Sequence, residues 1–494
     1  MNTKPHLHIV WLKRDLRLHD NEAIFNALKT GKPVLIFYSF EPILLNDPHY
    51  SKRHWDFIKQ SLTDLNLELA AYNSKVLVVQ SDIIPVINQF LNTYKITDIF
   101  SHQETGILTT FERDKTFKRF CKNNLIQWHE NINNGVRRGL KNRDNWNALC
   151  NAFYEIEPLP FNPNDNQLLD IESIKTLETY FKLPDLKTNS DSKFQKGGRS
   201  TGLKYLNSFF QGRYENYMFH ISKPELARKS CSRISPYIAW GNLSIREVYH
   251  QAYKLKEQAK HKKALEAFMS RLRWQTHFIQ KFEMEHTMEE ASVNKGFHKL
   301  KKNISEDYQT AWKTGQTGYP LVDACMRCLN ETGYLNFRMR ALVVSFFTHN
   351  LWQPWQEATR HLSQMFLDFE PGIHFPQLQM QAGETGINIL RIYNPIKNSL
   401  EHDPDALFIK KWVPELETLD TPFAHQPCLM TSMEQQFYNF KLGEDYPHPI
   451  VDIEATRKKA GDTLWNMRNN KKVVEESKRI LKKHTFQRKS QRRN

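Results

Sequence analysis

The feature that most constrains this chain is a change of hydrophobic period part-way along it. Up to about residue 130, short β-branched runs alternate with helix-like stretches. His8–Leu12, Pro33–Tyr38, Val76–Val79 and Ile96–Phe100 read as strands. Glu22–Leu28, Trp55–Ala71 and Ile83–Tyr94 read as the helices between them. Strands alternating with helices imply a parallel sheet covered on both faces, and such sheets receive ligands at the carboxyl ends of their strands. No G-x-G-x-x-G follows the first strand, so the usual dinucleotide fingerprint is missing. After Gly197-Gly198 the period turns helical. Leu203, Leu206 and Phe210 share one face of Thr201–Gln211, and the same spacing recurs in Ile245–Leu255, Ala264–Phe282, Pro320–Leu329, Phe337–Trp352 and Trp355–Phe366.

The expected architecture is therefore an α/β domain over residues 1–135, an interdomain linker over 136–196, a large all-α domain over 197–465 and a basic tail over 466–494. A chain of 494 residues is too long for one core, which agrees with this division. The turn-rich Pro158–Asn166 and the polar Asn189-Ser-Asp-Ser192 read as a linker crossing the surface. The tail reads as a basic frayed helix or a disordered segment, with ten Lys or Arg after residue 470 against Glu475 and Glu476.

The formal net charge of +15 favours a polyanionic partner through long-range attraction and counterion release. Six scattered cysteines suggest no disulfide framework, and Cys325-x-x-Cys328 lies in an apolar helix-like stretch, so it reads as two buried thiols rather than a metal site. There is no P-loop, no H-E-x-x-H and no G-x-S-x-G. His277 to His286 read as an amphipathic helix surface. No run approaches the ~20 apolar residues of a membrane span. A soluble, cytoplasmic, monomeric protein without a membrane partner is expected.

Several stretches coincide, in order, with one family. Ile9-Val-Trp11-Leu-Lys13-Arg14-Asp15-Leu-Arg17-Leu-His19-Asp20-Asn21 resembles the opening strand and turn of DNA photolyases and cryptochromes. Ser232-Arg233-Ile234-Ser235-Pro236-Tyr237 resembles their cofactor phosphate loop, and Arg271-Leu-Arg-Trp274 their E-L-x-W helix, with Arg271 in place of Glu. Trp312-Lys-Thr-Gly315, Gly318-Tyr319-Pro320 and Asp323-Ala-Cys325-Met-Arg327 are similar to a further motif. Arg391-Ile-Tyr-Asn394-Pro395 and Phe408-Ile-Lys-Lys-Trp412 are similar to the closing segments.

The resemblance implies FAD held by Ser232, Arg233, Ile234, Ser235, Arg271, Trp274, Arg340, Asp368 and Glu370. It implies that Arg340 and Asp368 pair beside the reactive edge of the flavin, that Trp355 relays electrons, and that His374 faces flavin N5, where it is expected to donate a proton or titrate near neutral pH. It places Leu378 or Pro376 where the innermost tryptophan of an electron-hopping triad belongs, and Lys302 near the outermost, so the triad is broken; Trp352 or Trp312 are candidate substitutes. For DNA carrying pyrimidine dimers it implies that Trp274 stacks on the flipped lesion and Arg338 contacts phosphate. The implied activity is blue-light-driven dimer splitting by electron transfer from reduced FAD, a carbon–carbon lyase reaction. The alternative is a cryptochrome-like photoreceptor without repair. An antenna chromophore (folate, deazaflavin or second flavin) is left open, with Ser101–Gly106 and Glu112-Arg113-Asp114 as candidate strand-end loops.

Overall fold

The computed structural model describes residues 4–188 and 193–485; Asn189-Ser-Asp-Ser192 and residues 486–494 of the tail lie outside them. Five parallel strands form one sheet: β1 (His8–Leu12), β2 (Val34–Ser39), β3 (Leu77–Val79), β4 (Asp98–His102) and β5 (Gln127–Asn131), in the order β3-β2-β1-β4-β5. β1 lies at the centre, with Val10 beside Ile36 on one side and Phe100 on the other. All five of its residues are buried because helices cover both faces, so the strand is apolar without alternation.

The sequence pattern did not reveal β5, whose Gln-Trp-His-Glu-Asn is polar. It is recruited by backbone pairing to β4, and Trp128 packs on Trp11 and Phe117. Nor did it reveal the helix Leu108–Asn123, whose buried positions include Arg113 and Asp114. Residues 112–114 are therefore helical rather than loop.

The linker is more than a surface crossing. Val34 N–H donates to Gln167 O and Leu169 N–H to Val34 O, both at 2.8 Å, so the segment adds a bridge beside the start of β2. Ile174 and Leu177 of the helix Ile171–Glu178 then bury in the sheet's core. Gly197-Gly198 lies flush on the helix Lys52–Leu69. Gly197 N–H donates to Gln60 Oε1 at 2.7 Å and Gly198 N–H to Ser61 Oγ at 3.1 Å, while φ is +104° at Gly198. A β-carbon at Gly197 would collide with the Phe57 carbonyl, so this contact between the domains requires glycine.

The loop after β1 clamps the two domains together. Lys13, Arg14, Asp15, Arg17, Asp20 and Asn21 are all buried. Leu16 N–H donates to Trp240 O at 3.2 Å, Arg17 to Gly241 O at 3.1 Å, and Asn242 returns a bond to Leu16 O at 3.2 Å. Arg246 pairs with Asp20. Burial opposes ionisation of Asp15, but the hydrogen bond and charge of His102 at 2.7 Å hold its pKa below the ordinary value.

The second domain is helical, including Lys262–Met284, Pro320–Thr332, Trp355–Met365 and Pro371–Gln381. The expected helix Phe337–Trp352 stops at Ser345 and continues as a π turn, Phe346–Asn350, closed by Leu351 N–H on Phe346 O at 2.9 Å. Two expectations are corrected. The stretch His277 to His286 is not a surface: Phe278, Lys281 and Phe282 are buried, Arg143 donates to His277 Nδ1 at 2.8 Å, and burial pushes the His277 pKa down to about 3. The tail is not frayed throughout: Lys471–His484 is a helix burying Val473, Ile480 and His484, with His484 on Glu285 at 2.9 Å. Cys325 and Cys328 are buried in the helix Pro320–Thr332. Among the described residues, no helix is long and apolar enough to cross a membrane.

Candidate functional site

The carboxyl ends of the strands are the first place to look for a ligand. There Arg113 donates to Glu41 at 2.6 Å, to Glu104 at 2.6 Å and to Asp114 at 2.8 Å, and Lys13 lies 3.4 Å from Asp114. Burial pushes the Glu41 carboxyl up to about 7 in spite of Arg113. The cavity lined by Trp11, Lys13, Tyr38, Trp55, Glu104 and Arg113 holds about 20 Å³, and its neighbour by Arg14, Gln103 and Glu370 holds about 20 Å³. Each has room for one water.

The helical domain differs. Arg233 sits in the left-handed region at φ +60° just before the short helix Ser235–Ala239. A non-glycine residue there marks a loop fixed by its surroundings. Gln195 holds both its ends, donating to Arg233 O at 2.8 Å and accepting from Nη2 at 3.1 Å. The guanidinium lies 3.9 Å over the Tyr334 ring, and Arg228 approaches Tyr334 and Trp412. Burial lowers the Arg233 pKa, yet its Nε is buried without an acceptor among the described residues. A buried guanidinium nitrogen left open in this way suits an anion. Ser232 and Ile234 are buried beside it.

Arg340, on the helix Phe337–Ser345, donates through Nη2 to both oxygens of Asp368, at 3.0 and 2.8 Å, and through Nε to Leu335 O at 2.9 Å. Its guanidinium stacks 4.0 Å over Phe366. The Asp368 side chain is 7% exposed and that of Arg340 28%, so the pair has one open side. Glu370 points elsewhere: its carboxylate lies 3.5 Å from Arg14 of the first domain, whose guanidinium also bonds Phe369 O and stacks 4.3 Å over Trp240. Burial, with repulsion from Glu104, outweighs Arg14 and raises the Glu370 pKa to about 7. His374 packs against Phe369 and Phe375, with Nε2 at 3.1 Å from Thr359 O. A carbonyl only accepts, so Nε2 carries the hydrogen. The expectation that His374 titrates near neutral pH is corrected, because burial pushes its pKa down to about 3.

Trp355 is fully buried, and its Nε1 donates to Ser292 Oγ at 3.0 Å. Leu378 is 3% exposed in the helix that carries His374. Trp312 is fully buried and bonds Val343 O at 3.1 Å. Trp352 lies under Lys302, whose Nζ is 4.9 Å from its ring centre. Ser292, Glu384 and Gln195 were invisible as site residues, since each lies in an irregular stretch whose partner is remote in sequence.

On the outer face, Trp274 is 48% exposed and Phe337 47%. Arg271, one turn before Trp274, has its guanidinium 5.9 Å from the Phe337 ring, so the helices Lys262–Met284 and Phe337–Ser345 present one face of two rings and a cation. Arg338 is half-buried next along that helix.

Comparison with known proteins gives the family. Residues 8–134 match the family described as DNA photolyase, and residues 268–466 the FAD binding domain of DNA photolyase. A deoxyribodipyrimidine photo-lyase of Alkalihalophilus pseudofirmus is 26% identical over 93% of this chain and 98% of its own length. A cryptochrome DASH of Synechocystis sp. is 28% identical over 93% and 98%. Among solved structures, a class III photolyase from Agrobacterium tumefaciens superposes with a TM-score of 0.81 at 23% identity, covering 95% of this chain and 99% of that one. An archaeal photolyase from Sulfolobus tokodaii, solved with two FAD molecules, gives 0.75 at 26% identity, covering 93% and 100%. With both domains matched and in order, the chain belongs to the DNA photolyase and cryptochrome family of FAD-binding flavoproteins.

Proposed function

We propose that this protein is a blue-light-driven lyase that splits pyrimidine dimers in DNA. The observation that carries the reading is the exposed face of Trp274, Phe337 and Arg271. Two half-exposed rings at 48% and 47% are costly to leave in water and suit a flipped base, while the guanidinium suits the flanking phosphates. Arg338 stands next to Phe337 for a further phosphate, and the +15 charge supplies the sequence-independent attraction.

Ser232, Arg233, Ile234 and Ser235 would hold the pyrophosphate of FAD, and the open Arg233 Nε fits that anion. Bound there, reduced flavin supplies the electron that blue light drives into the lesion. Arg340, kept charged and oriented by Asp368, would stand at the electron-rich edge. His374, neutral and with its Nε2 hydrogen committed to Thr359, offers Nδ1 as an acceptor rather than a proton to give. We read Glu370 as a bridge to Arg14 that fixes the loop carrying Asp368, and Arg271 and Trp274 as substrate-side rather than phosphate-side residues. The domain limits at residues 135, 196 and 465 are likewise ours, with residues 471–484 added to the helical body.

A photoreceptor role without repair is the second reading. It is favoured by the register in which Leu378 or Pro376, neither of which can be oxidised, takes the place of the innermost tryptophan. Blue light on the reduced, flavin-loaded protein mixed with dimer-containing DNA separates the two. Repair predicts loss of dimers; dimers retained in full would leave the photoreceptor reading.

A further inference from the structure

Trp355 heads a buried chain of hydrogen bonds. Its Nε1–H donates to Ser292 Oγ at 3.0 Å, and Ser292 Oγ–H donates to Glu384 Oε2 at 2.6 Å. The other oxygen of Glu384 lies 3.3 Å from Lys302 Nζ. Trp355 is 0% exposed, and Ser292 and Glu384 are 5% exposed each. Lys302 is held from behind by Thr348 O, within the π turn, at 3.1 Å and by Gln353 O at 3.5 Å. Ser292 is fixed by its own loop: Gln379 accepts from Val293 N–H at 2.8 Å and donates to Met288 O and Ala291 O at 2.8 and 3.0 Å.

The arrangement bears on where an oxidised tryptophan discharges. An indole that loses an electron becomes a strong N–H acid. In the register that the family resemblance implies, Leu378 or Pro376 stands at the innermost hopping position and Lys302 near the outermost, so that register offers the hole no outer tryptophan. Trp352 is a poor substitute, because a cation over its ring at 4.9 Å makes removal of an electron harder. A proton exit would hold the hole on Trp355 instead.

We propose that Trp355 is a proton-coupled electron donor whose proton passes through Ser292 to Glu384. This rests on the reading of Trp355 as the donor to photoexcited oxidised flavin. Trp355 loses one electron to the flavin; its Nε1–H bond breaks as the proton moves to Ser292 Oγ, and the Ser292 hydroxyl proton moves to Glu384 Oε2. The products are a neutral tryptophan radical, a neutral Glu384 carboxyl and a flavin carrying one more electron. The positive charge that began on the indole is left on Lys302, held by two backbone carbonyls. Ser292, Glu384 and Lys302 are positioning residues in this scheme.

Transient absorption of the flavin-loaded protein after a blue flash tests it, since the radical cation and the neutral radical of tryptophan have distinct spectra. The wild type is expected to reach the neutral radical, more slowly in deuterated water. Ser292→Ala leaves the ion pair intact and breaks the relay, and it should lengthen the life of the cation roughly 100-fold, the lower range of what a positioned proton acceptor contributes. Ser292→Thr, which keeps the hydroxyl, should restore the fast step. The double variant Glu384→Gln/Lys302→Met removes both charges together and should behave as Ser292→Ala does. Equal cation lifetimes in wild type and both relay variants would overturn the proposal while leaving Trp355 as donor. No tryptophan radical in the wild type, with unchanged photoreduction in Trp355→Phe, would overturn the donor reading and the relay with it.

Discussion

The strand ends of the first domain and the Arg233–Arg340 region of the second are both rich in buried charge, and they end differently. At the strand ends the charges meet chiefly one another: Arg113 bonds Glu41, Glu104 and Asp114 around a space of about 20 Å³, and Glu41 Oε1 and Arg14 Nη1 are buried there without a hydrogen-bond partner among the described residues. In the helical domain Arg233 Nε is likewise without an acceptor among the described residues, and the Arg340–Asp368 pair is open on one side. A cluster whose charges face one another holds a fold together, whereas a buried ion pair with one open side keeps a face for a ligand.

The comparison breaks most sharply on Arg113. Arg113→Met leaves the buried Glu41 and Glu104 without their cation, with Asp114 still facing Lys13, and should cost about 3–5 kcal/mol of stability, read by denaturant unfolding, with flavin bound per folded chain unchanged. Arg340→Met should do the reverse. Flavin affinity should fall about 100-fold, or about 2.7 kcal/mol, in a fluorescence titration. The apoprotein should lose only about 1–2 kcal/mol, because the exposed side of Arg340 screens the pair. Trp274→Ala removes a half-exposed ring, so stability should change by no more than about 0.5 kcal/mol. Affinity for dimer-containing DNA should fall by about 1–3 kcal/mol in a binding assay.

The smallest effect is one of pH, and it sharpens the boundary between the two regions. The Glu370 pKa is raised from 4.5 to about 7, so its contribution to stability is complete below 4.5 and is lost as pH rises towards 7. Glu370→Gln should flatten that decline by about 1 kcal/mol. His54 and His374 act in the opposite sense. Burial pushes both from 6.5 to about 3, so their contribution is present above 6.5 and is lost as pH falls towards 3.

Much of this was legible in the chain, for stated reasons. Four strands were readable because β-branched runs buried on both faces have no competing pattern, and β5 was not because its side chains are polar and only its backbone pairs. The helix Leu108–Asn123 escaped because Arg113 and Asp114 occupy its inner face, where a periodicity search expects apolar residues. Arg340 and Asp368 were placed together by family register, and the structure joins them at 2.8 Å. The same register could not say that Glu370 faces Arg14, a partner 356 positions away in sequence and fixed only by the docking of two domains. Nor could it show that Lys302, noted as a broken triad position, finds Glu384.

The most direct test is a titration of the apoprotein with FAD, followed by flavin absorbance, on wild type, Arg113→Met and Arg340→Met. One flavin per chain in wild type and in folded Arg113→Met, with binding weakened about 100-fold in Arg340→Met, is the predicted result. Undiminished affinity in Arg340→Met, or a second flavin whose binding depends on Arg113, would contradict it.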